Sequence, residues 1–161
     1  MKNNFRESVL ARPDVVEFLE LLAAREVRYL VFGGCAVMFY VGQRYTSNVD
    51  IWIARDRDNV AAQIGVLQTF GAPLAGLSAE DFCLEGHFYQ MGSPPMRIDD
   101  MLSTKGVSFD EAWNERKIMV AEGLQVPFIS RNHLIRVKLA SDRSQDILDV
   151  RNLARGIGSV R

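Results

Sequence analysis

The chain has 161 residues, of which 48% are hydrophobic, enough to bury a core and too apolar for a disordered or fibrous protein. Nineteen Lys/Arg against twenty Asp/Glu give a formal charge of -1, which excludes a protein that coats nucleic acid through its overall charge. The charge is unevenly spread: residues 131–161 hold seven Lys/Arg and three Asp/Glu, a local +4 that leaves -5 on the first 130 residues and suits an anionic ligand held between body and tail.

The opening MKNNFRESVL lacks an apolar core of signal-peptide length, and no apolar run approaches the roughly 20 residues of a membrane span, so a cytoplasmic protein without membrane attachment is expected. Pro13-Asp14 starts an amphipathic helix in which Val15, Val16, Phe18, Leu19, Leu21 and Leu22 share one broad face up to Ala24. Val27 to Phe32 reads as a half-buried strand that stops at Gly33-Gly34. Cys35 to Tyr40 then reads as a helix ended by Gly42. Val49 to Ile53 is a second strand, apolar apart from Asp50. Asp58 to Phe70 is a helix with Val60, Ile64 and Leu67 as its inner stripe and Gly71 as its stop. The turn-rich stretch from Gly71 to Pro95 is read with a short helix at Ala79 to Cys83 and a strand at His87 to Met91. A further strand begins at Met96-Arg97-Ile98-Asp99. Ser108 to Arg116 predicts a short helix, and Lys117 to Val120 with Gln125 to Ile129 a hairpin around Glu122-Gly123. Ser130 precedes a helix from Asn132 to about Ala140, and a last helix spans Gln145 to Arg155, with fraying from Gly156 onward.

Three places carry candidate chemistry. Gly33-Gly34 joins a strand to a helix, where backbone without Cβ lets N–H groups and a helix N-terminus approach an anion; plain turn geometry is the alternative. Asn48 and Asp50 lie two apart on a strand, so they share a face and their oxygens can converge on one hard cation; the alternative is an edge strand facing water. Asp99-Asp100 follows a second apolar-polar alternation, and if Ile98 points to the core then Asp99 is the one that joins Asp50, unless the pair simply enters a turn. Cys35 and Cys83 lack metal-ligand spacing and are expected as reduced thiols. His87 and His133 fall in different elements and receive no role, and Trp52 and Trp113 are expected to pack in the core.

The segments Gly33-Gly34-Cys35-Ala36, Gly42-Gln43-Arg44-Tyr45-Thr46-Ser47-Asn48-Val49-Asp50, Arg97-Ile98-Asp99, Gly106-Val107-Ser108-Phe109-Asp110-Glu111-Ala112-Trp113 and Leu134-Ile135-Arg136-Val137-Lys138 together carry a likeness to a family. They resemble the nucleotidyltransferases of the DNA polymerase beta-like superfamily, most of all the small bacterial members related to abortive-infection toxins. The likeness runs from about Tyr29 to Leu153. It implies an α+β nucleotidyltransferase fold, a mixed central sheet with helices packed mainly on one side. The expected layout is a single domain over residues 1–161, with a core at about 27–130 and a C-terminal helical segment at about 131–155.

The resemblance also implies a site. A nucleoside triphosphate would lie against Gly33 and Gly34. Asn48, Asp50 and Asp99 would occupy the carboxylate positions that hold a pair of Mg²⁺ ions, with Asp99 nearest the attacking hydroxyl. Arg44, Thr46 and Lys138 fall where the family keeps polar groups that contact phosphates or flank the site. The implied reaction moves a nucleoside monophosphate to an acceptor hydroxyl on RNA, protein or a small molecule, and a toxin of a toxin-antitoxin system would also have an antitoxin partner. One position departs from the pattern: Asn48 stands where the family has Asp, and a neutral amide is a poorer ligand than a carboxylate. An engineered inactivation, a natural conversion to a nucleotide-binding or regulatory module, and an active site that manages with Asp50, Asp99 and Asp100 are the three explanations that follow.

Overall fold

A computed structural model describes residues 7, 9–42, 48–71, 88–93, 96–101, 106–121, 123–140 and 144–158, the side chains of 48, 88–93, 96–101, 144–147 and 156–158 excepted. The expected short helix at Ala79 to Cys83, and Cys83 and His87 themselves, lie outside the described residues.

Helix α1 (Pro13–Ala24) begins on a proline, whose missing N–H is one the first turn leaves unbonded in any case, and buries Val15, Phe18, Leu19 and Leu22. Strand β1 (Tyr29–Phe32) is buried along its whole length. It starts two residues later than the apolar alternation suggests, because the Asn59 carboxamide claims the backbone just before it. Asn59 Oδ1 accepts from the Arg28 N–H at 2.7 Å, and its Nδ2 donates to the carbonyls of Arg28 at 3.0 Å and Ala54 at 2.9 Å.

Helix α2 (Gly33–Val41) follows β1 with no intervening loop and ends on Gly42 at φ 78°. Strand β2 (Asn48–Ile53) leads to helix α3 (Arg57–Phe70), which is capped by the Asp56 side chain and stopped by Gly71 at φ 87°. The buried face of α3 comprises Asn59, Val60, Gln63, Val66 and Leu67, so Ile64, expected on the inner stripe, is only partly buried. Turning Asn59 inward to hold Arg28 and Ala54 sets that rotation of the helix.

Strands β3 (Phe88–Ser93) and β4 (Met96–Met101) come next, then helix α4 (Phe109–Asn114). Ser108 and Glu111 cap α4 reciprocally, and the hydrogen bonds from Ser108 hold the Glu111 carboxyl below its usual range. The hairpin of β5 (Lys117–Ala121) and β6 (Leu124–Phe128) turns at Gly123, φ 82°. Ser130 caps helix α5 (Arg131–Leu139), and helix α6 (Ser144–Gly158) continues three residues past the expected end at Arg155.

The strands form one sheet in the order β3-β4-β2-β1-β6-β5. It is mixed: β2 runs parallel to β4 and β1 parallel to β6, while the other pairs are antiparallel. This is the α+β architecture that the sequence implies. Phe18 meets Phe70 edge-on at 5.3 Å between α1 and α3, and Phe39 of α2 stacks on Phe128 at 4.2 Å. Among the described residues no helix is long and apolar enough to cross a membrane.

The C-terminal helices are tied by charge. Lys138 of α5 is 6% exposed and its Nζ lies 3.2 Å from Oδ2 of Asp149, 1% exposed, on α6. Arg131 donates to the Leu153 carbonyl at 3.1 Å and to that of Tyr40 at 3.5 Å, joining α2, α5 and α6. Removing one charge of a buried pair leaves the other unpaired in a poorly solvating interior. Lys138→Met should therefore lower the unfolding free energy by about 3–5 kcal/mol, and adding Asp149→Leu should recover most of the loss. Urea denaturation of the two variants checks this; equal stability of Lys138→Met and the wild type would refute it.

Candidate functional site

At the centre of the sheet Gly33 and Asp50 come together, with positions 48 and 99 beside them by register. β1 and β2 are antiparallel with Phe32 opposite Asp50, so the chain leaves the sheet at the residue after Phe32 and passes directly over Asp50. Gly33 adopts φ +61°, a conformation that side chains disfavour. A Cβ there would stand 2.5 Å from Asp50 Oδ2, 3.1 Å from its Cγ and 3.2 Å from its Cβ. Two independent constraints, backbone conformation and contact with a carboxylate, thus require glycine at 33.

The helix that starts at Gly33 has Phe32 as its N-cap, with no side-chain capping bond. The first-turn N–H groups of α2, which lack intrahelical acceptors, are aligned in the same turn that touches Asp50. Cys35, Ala36, Val37 and Met38 are fully buried and anchor that turn from below.

Along β2 the pleat separates two faces. Val49, Ile51 and Ile53 are at most 1% exposed and belong to the core, whereas Asp50 is half-buried on the other face. Trp52 shares the face of Asp50, at 6.5 Å from the Phe32 ring and 5.2 Å edge-on to Phe109 of α4. Its burial agrees with the core role expected for it. Phe109 in turn stacks on Trp113 at 5.8 Å, and the Arg116 guanidinium covers Trp113 at 3.9 Å.

β4 lies beside β2 in parallel, with Asn48 opposite Arg97, Asp50 opposite Asp99 and Ile51 opposite Asp100. In-register positions of paired strands lie on the same face, about 4.8 Å apart. Positions 48, 50, 97 and 99 therefore share one face beside the Gly33 turn, and position 100 falls on the face of Ile51.

The other candidates are placed differently. Arg44 and Thr46 lie outside the described residues. Lys138, taken from the resemblance as a phosphate contact, is buried and has its ammonium committed to Asp149. His133, given no role, is 4% exposed with Nε2 3.0 Å from Glu115 Oε2, and so links the start of α5 to the end of α4. The pairing of Arg97 with Asn48 carries no local signal in the sequence, because it exists only through strand register.

Asp50 presents a carboxylate, an oxygen donor of the kind hard cations take, lodged where only a glycine fits above it, and strand register sets Asn48 and Asp99 at neighbouring positions on the sheet. The nearby thiol, Cys35, is buried in α2.

The α+β architecture is that of the nucleotidyltransferase fold. The chain belongs to the family described as "Nucleotidyltransferase of unknown function (DUF6036)", which it matches over residues 13–155. No curated protein matches the chain. Among solved structures it is similar to an antigenic nucleotidyltransferase-like protein from Paracoccidioides brasiliensis, at 19% identity and a TM-score of 0.52, over 90% of this chain and 75% of that one. It is similar to the lincosamide antibiotic adenylyltransferase LnuA, at 15% identity and a TM-score of 0.52, over 88% of this chain and 94% of that one. The antibiotic-resistance factor ANT(2'')-Ia is a third, at 13% identity and a TM-score of 0.53, over 94% of this chain and 86% of that one. These likenesses show the shared fold.

Gly33→Ala should cost on the order of 1–3 kcal/mol through the left-handed backbone and should also push the Asp50 carboxylate out of place. A lowered melting temperature together with weakened Mn²⁺ binding is the expected result. Wild-type Mn²⁺ affinity in this variant would show that the turn and the carboxylate are not coupled.

Proposed function

We propose that this protein transfers a nucleoside monophosphate from a nucleoside triphosphate to an acceptor hydroxyl, with the chemistry at Asp50 and Asp99. The observation that carries this reading is the carboxylate of Asp50 packed under Gly33 and in register with Asp99. Phosphate oxygens approach the first-turn N–H groups of α2 across a backbone that carries no Cβ at residues 33 and 34. Mg²⁺ held at Asp50 and Asp99, with Asn48 as a neutral third ligand, would supply charge neutralisation on the phosphates and lower the cost of forming the attacking alkoxide. The acceptor oxygen forms a bond to the α-phosphorus, the bond from that phosphorus to the bridging oxygen breaks, and pyrophosphate leaves. Asp99, on the outer of the two strands, receives the hydroxyl proton or orients it toward water.

The acceptor belongs to one of three classes: RNA, protein or a small molecule. LnuA, an adenylyltransferase of a lincosamide antibiotic, shares the fold, so a small-molecule acceptor stands beside the macromolecular ones. The positive C-terminal segment favours an anionic acceptor, and for RNA the binding would fall steeply with salt. Kinship with abortive-infection toxins would place the reaction in the cytoplasm with an antitoxin as partner.

Asn48 supports a second reading, in which the chain holds a nucleotide or a partner as a regulatory or antitoxin-like module and turns over slowly or not at all. Incubation with each of the four labelled nucleoside triphosphates, Mg²⁺ and a cell extract separates the two. Label should appear in one acceptor class and should fall on the order of 10³-fold in Asp50→Asn, the effect of several kcal/mol of lost charge stabilisation. Asn48→Asp should raise labelling about tenfold or more if the site is a weakened enzyme. No label from either the wild type or Asn48→Asp would leave the regulatory reading standing and the enzyme reading refuted.

A further inference from the structure

Helix α4 lies on the face of the sheet that carries Asp50. Its Phe109 ring meets Trp52 edge-on at 5.2 Å, and Trp52 stands two residues from Asp50 on the same side of β2. Little within α4 fixes it there. Of its six residues only Ala112 is fully buried, with Phe109 and Trp113 half-buried, so apolar burial alone anchors it weakly.

Two residues of α5, one helical turn apart, supply the hold. Arg136 Nη2 donates to the Gly106 carbonyl at 2.9 Å, and its Nη1 lies 3.5 Å from Glu111 Oε2, while Glu111 Oε1 accepts from the Ser108 N–H at 3.2 Å. The contact between His133 and Glu115 holds the far end of α4. Backbone geometry builds in the same approach: Gly106 adopts φ +93°, and a Cβ there would stand 3.0 Å from the Arg136 carbonyl oxygen and 3.3 Å from Ala140 Cβ. The entry to α4 is thus pressed against the last turn of α5 and bonded by a guanidinium from that turn. The pair of Arg136 with Glu111 is half-exposed on both sides and adds little through charge alone. The bond to the Gly106 carbonyl is charge-assisted and fixes where α4 begins.

Resting on the nucleotidyl-transfer reading above, we propose that Arg136 is a positioning residue for the Asp50 site. It sets the start of α4, Phe109 carries that placement to Trp52, and the Asp50 side of β2 stays closed to water at Trp52, which is 2% exposed. Helix α5 also bonds α2 through Arg131, so one helix supports both elements that lie beside this part of β2.

The full chain with Trp113→Phe keeps Trp52 as its single tryptophan, whose emission then reports the contact with Phe109. In that background Arg136→Ala should shift the Trp52 emission to longer wavelength and raise its quenching by acrylamide. The melting temperature should move by no more than about 4 °C, because a half-exposed contact contributes little to global stability. Transfer of label from the nucleoside triphosphate should slow about tenfold or more at saturation, with the KM for the nucleotide changed less than about threefold, since the Gly33 turn is held by other bonds. Arg136→Lys, which still donates to the Gly106 carbonyl, should recover most of both effects, and Glu111→Gln, which removes only the exposed ion pair, should show neither. Unchanged Trp52 emission in Arg136→Ala, equal losses in Arg136→Ala and Arg136→Lys, or a slowing that merely follows the unfolded fraction would overturn the proposal. If the wild type transfers no label, the nucleotidyl-transfer reading fails and takes the proposal with it. If the wild type and Arg136→Ala transfer label at the same rate, only the role of Arg136 fails.

Discussion

The contact between Gly33 and Asp50 is the constraint around which the rest of the site is arranged. A buried four-residue strand delivers the chain to Gly33, the antiparallel register sets Asp50 beneath it, and the absence of a Cβ lets the two approach. From that contact follow the direction of α2, whose first turn is aligned beside the carboxylate, and the face of β2 that stays out of the core. Val49, Ile51 and Ile53 hold that choice in place: a slip of one residue would drive Asp50 into the apolar layer and expose three core side chains. The charge is therefore located by hydrophobic burial on the opposite face, not by any attraction of its own.

The supporting parts act on the same strand pair from its two ends. At the end remote from Gly33, Asn59 satisfies three backbone groups of Arg28 and Ala54 where β1 begins and β2 has ended. A buried carboxamide with all of these partners pins the relative height of the two strands, and Phe32 meets Asp50 because that height is set. At the near end, Arg131 and Tyr40 bind α2 to the C-terminal helices: the Tyr40 hydroxyl donates to the Ile129 carbonyl at 2.6 Å, and Arg131 bonds the Tyr40 carbonyl. The Lys138–Asp149 pair locks those helices to each other, so a buried charge pair remote from Asp50 still bears on the position of the turn that starts α2.

Most elements were legible in the sequence because their signals are local. Pro13, Gly42, Gly71, Ser108 and Ser130 sit at helix ends for reasons of backbone conformation and capping that a single residue carries. Two expectations needed adjustment because of a partner distant in the chain. β1 begins late because Asn59, far along the sequence, claims Arg28. Ile64 yields to Val66 because that same asparagine rotates α3. Lys138 and Asp149 meet between two helices, a pairing that neither segment signals on its own. The acidic residues of the site were visible as departures from apolar alternation at Asp50 and Asp99, and the Gly pair as a break between strand and helix. The pairings of Asp50 with Asp99 and of Asn48 with Arg97 were not visible, since strand register joins positions distant in the chain.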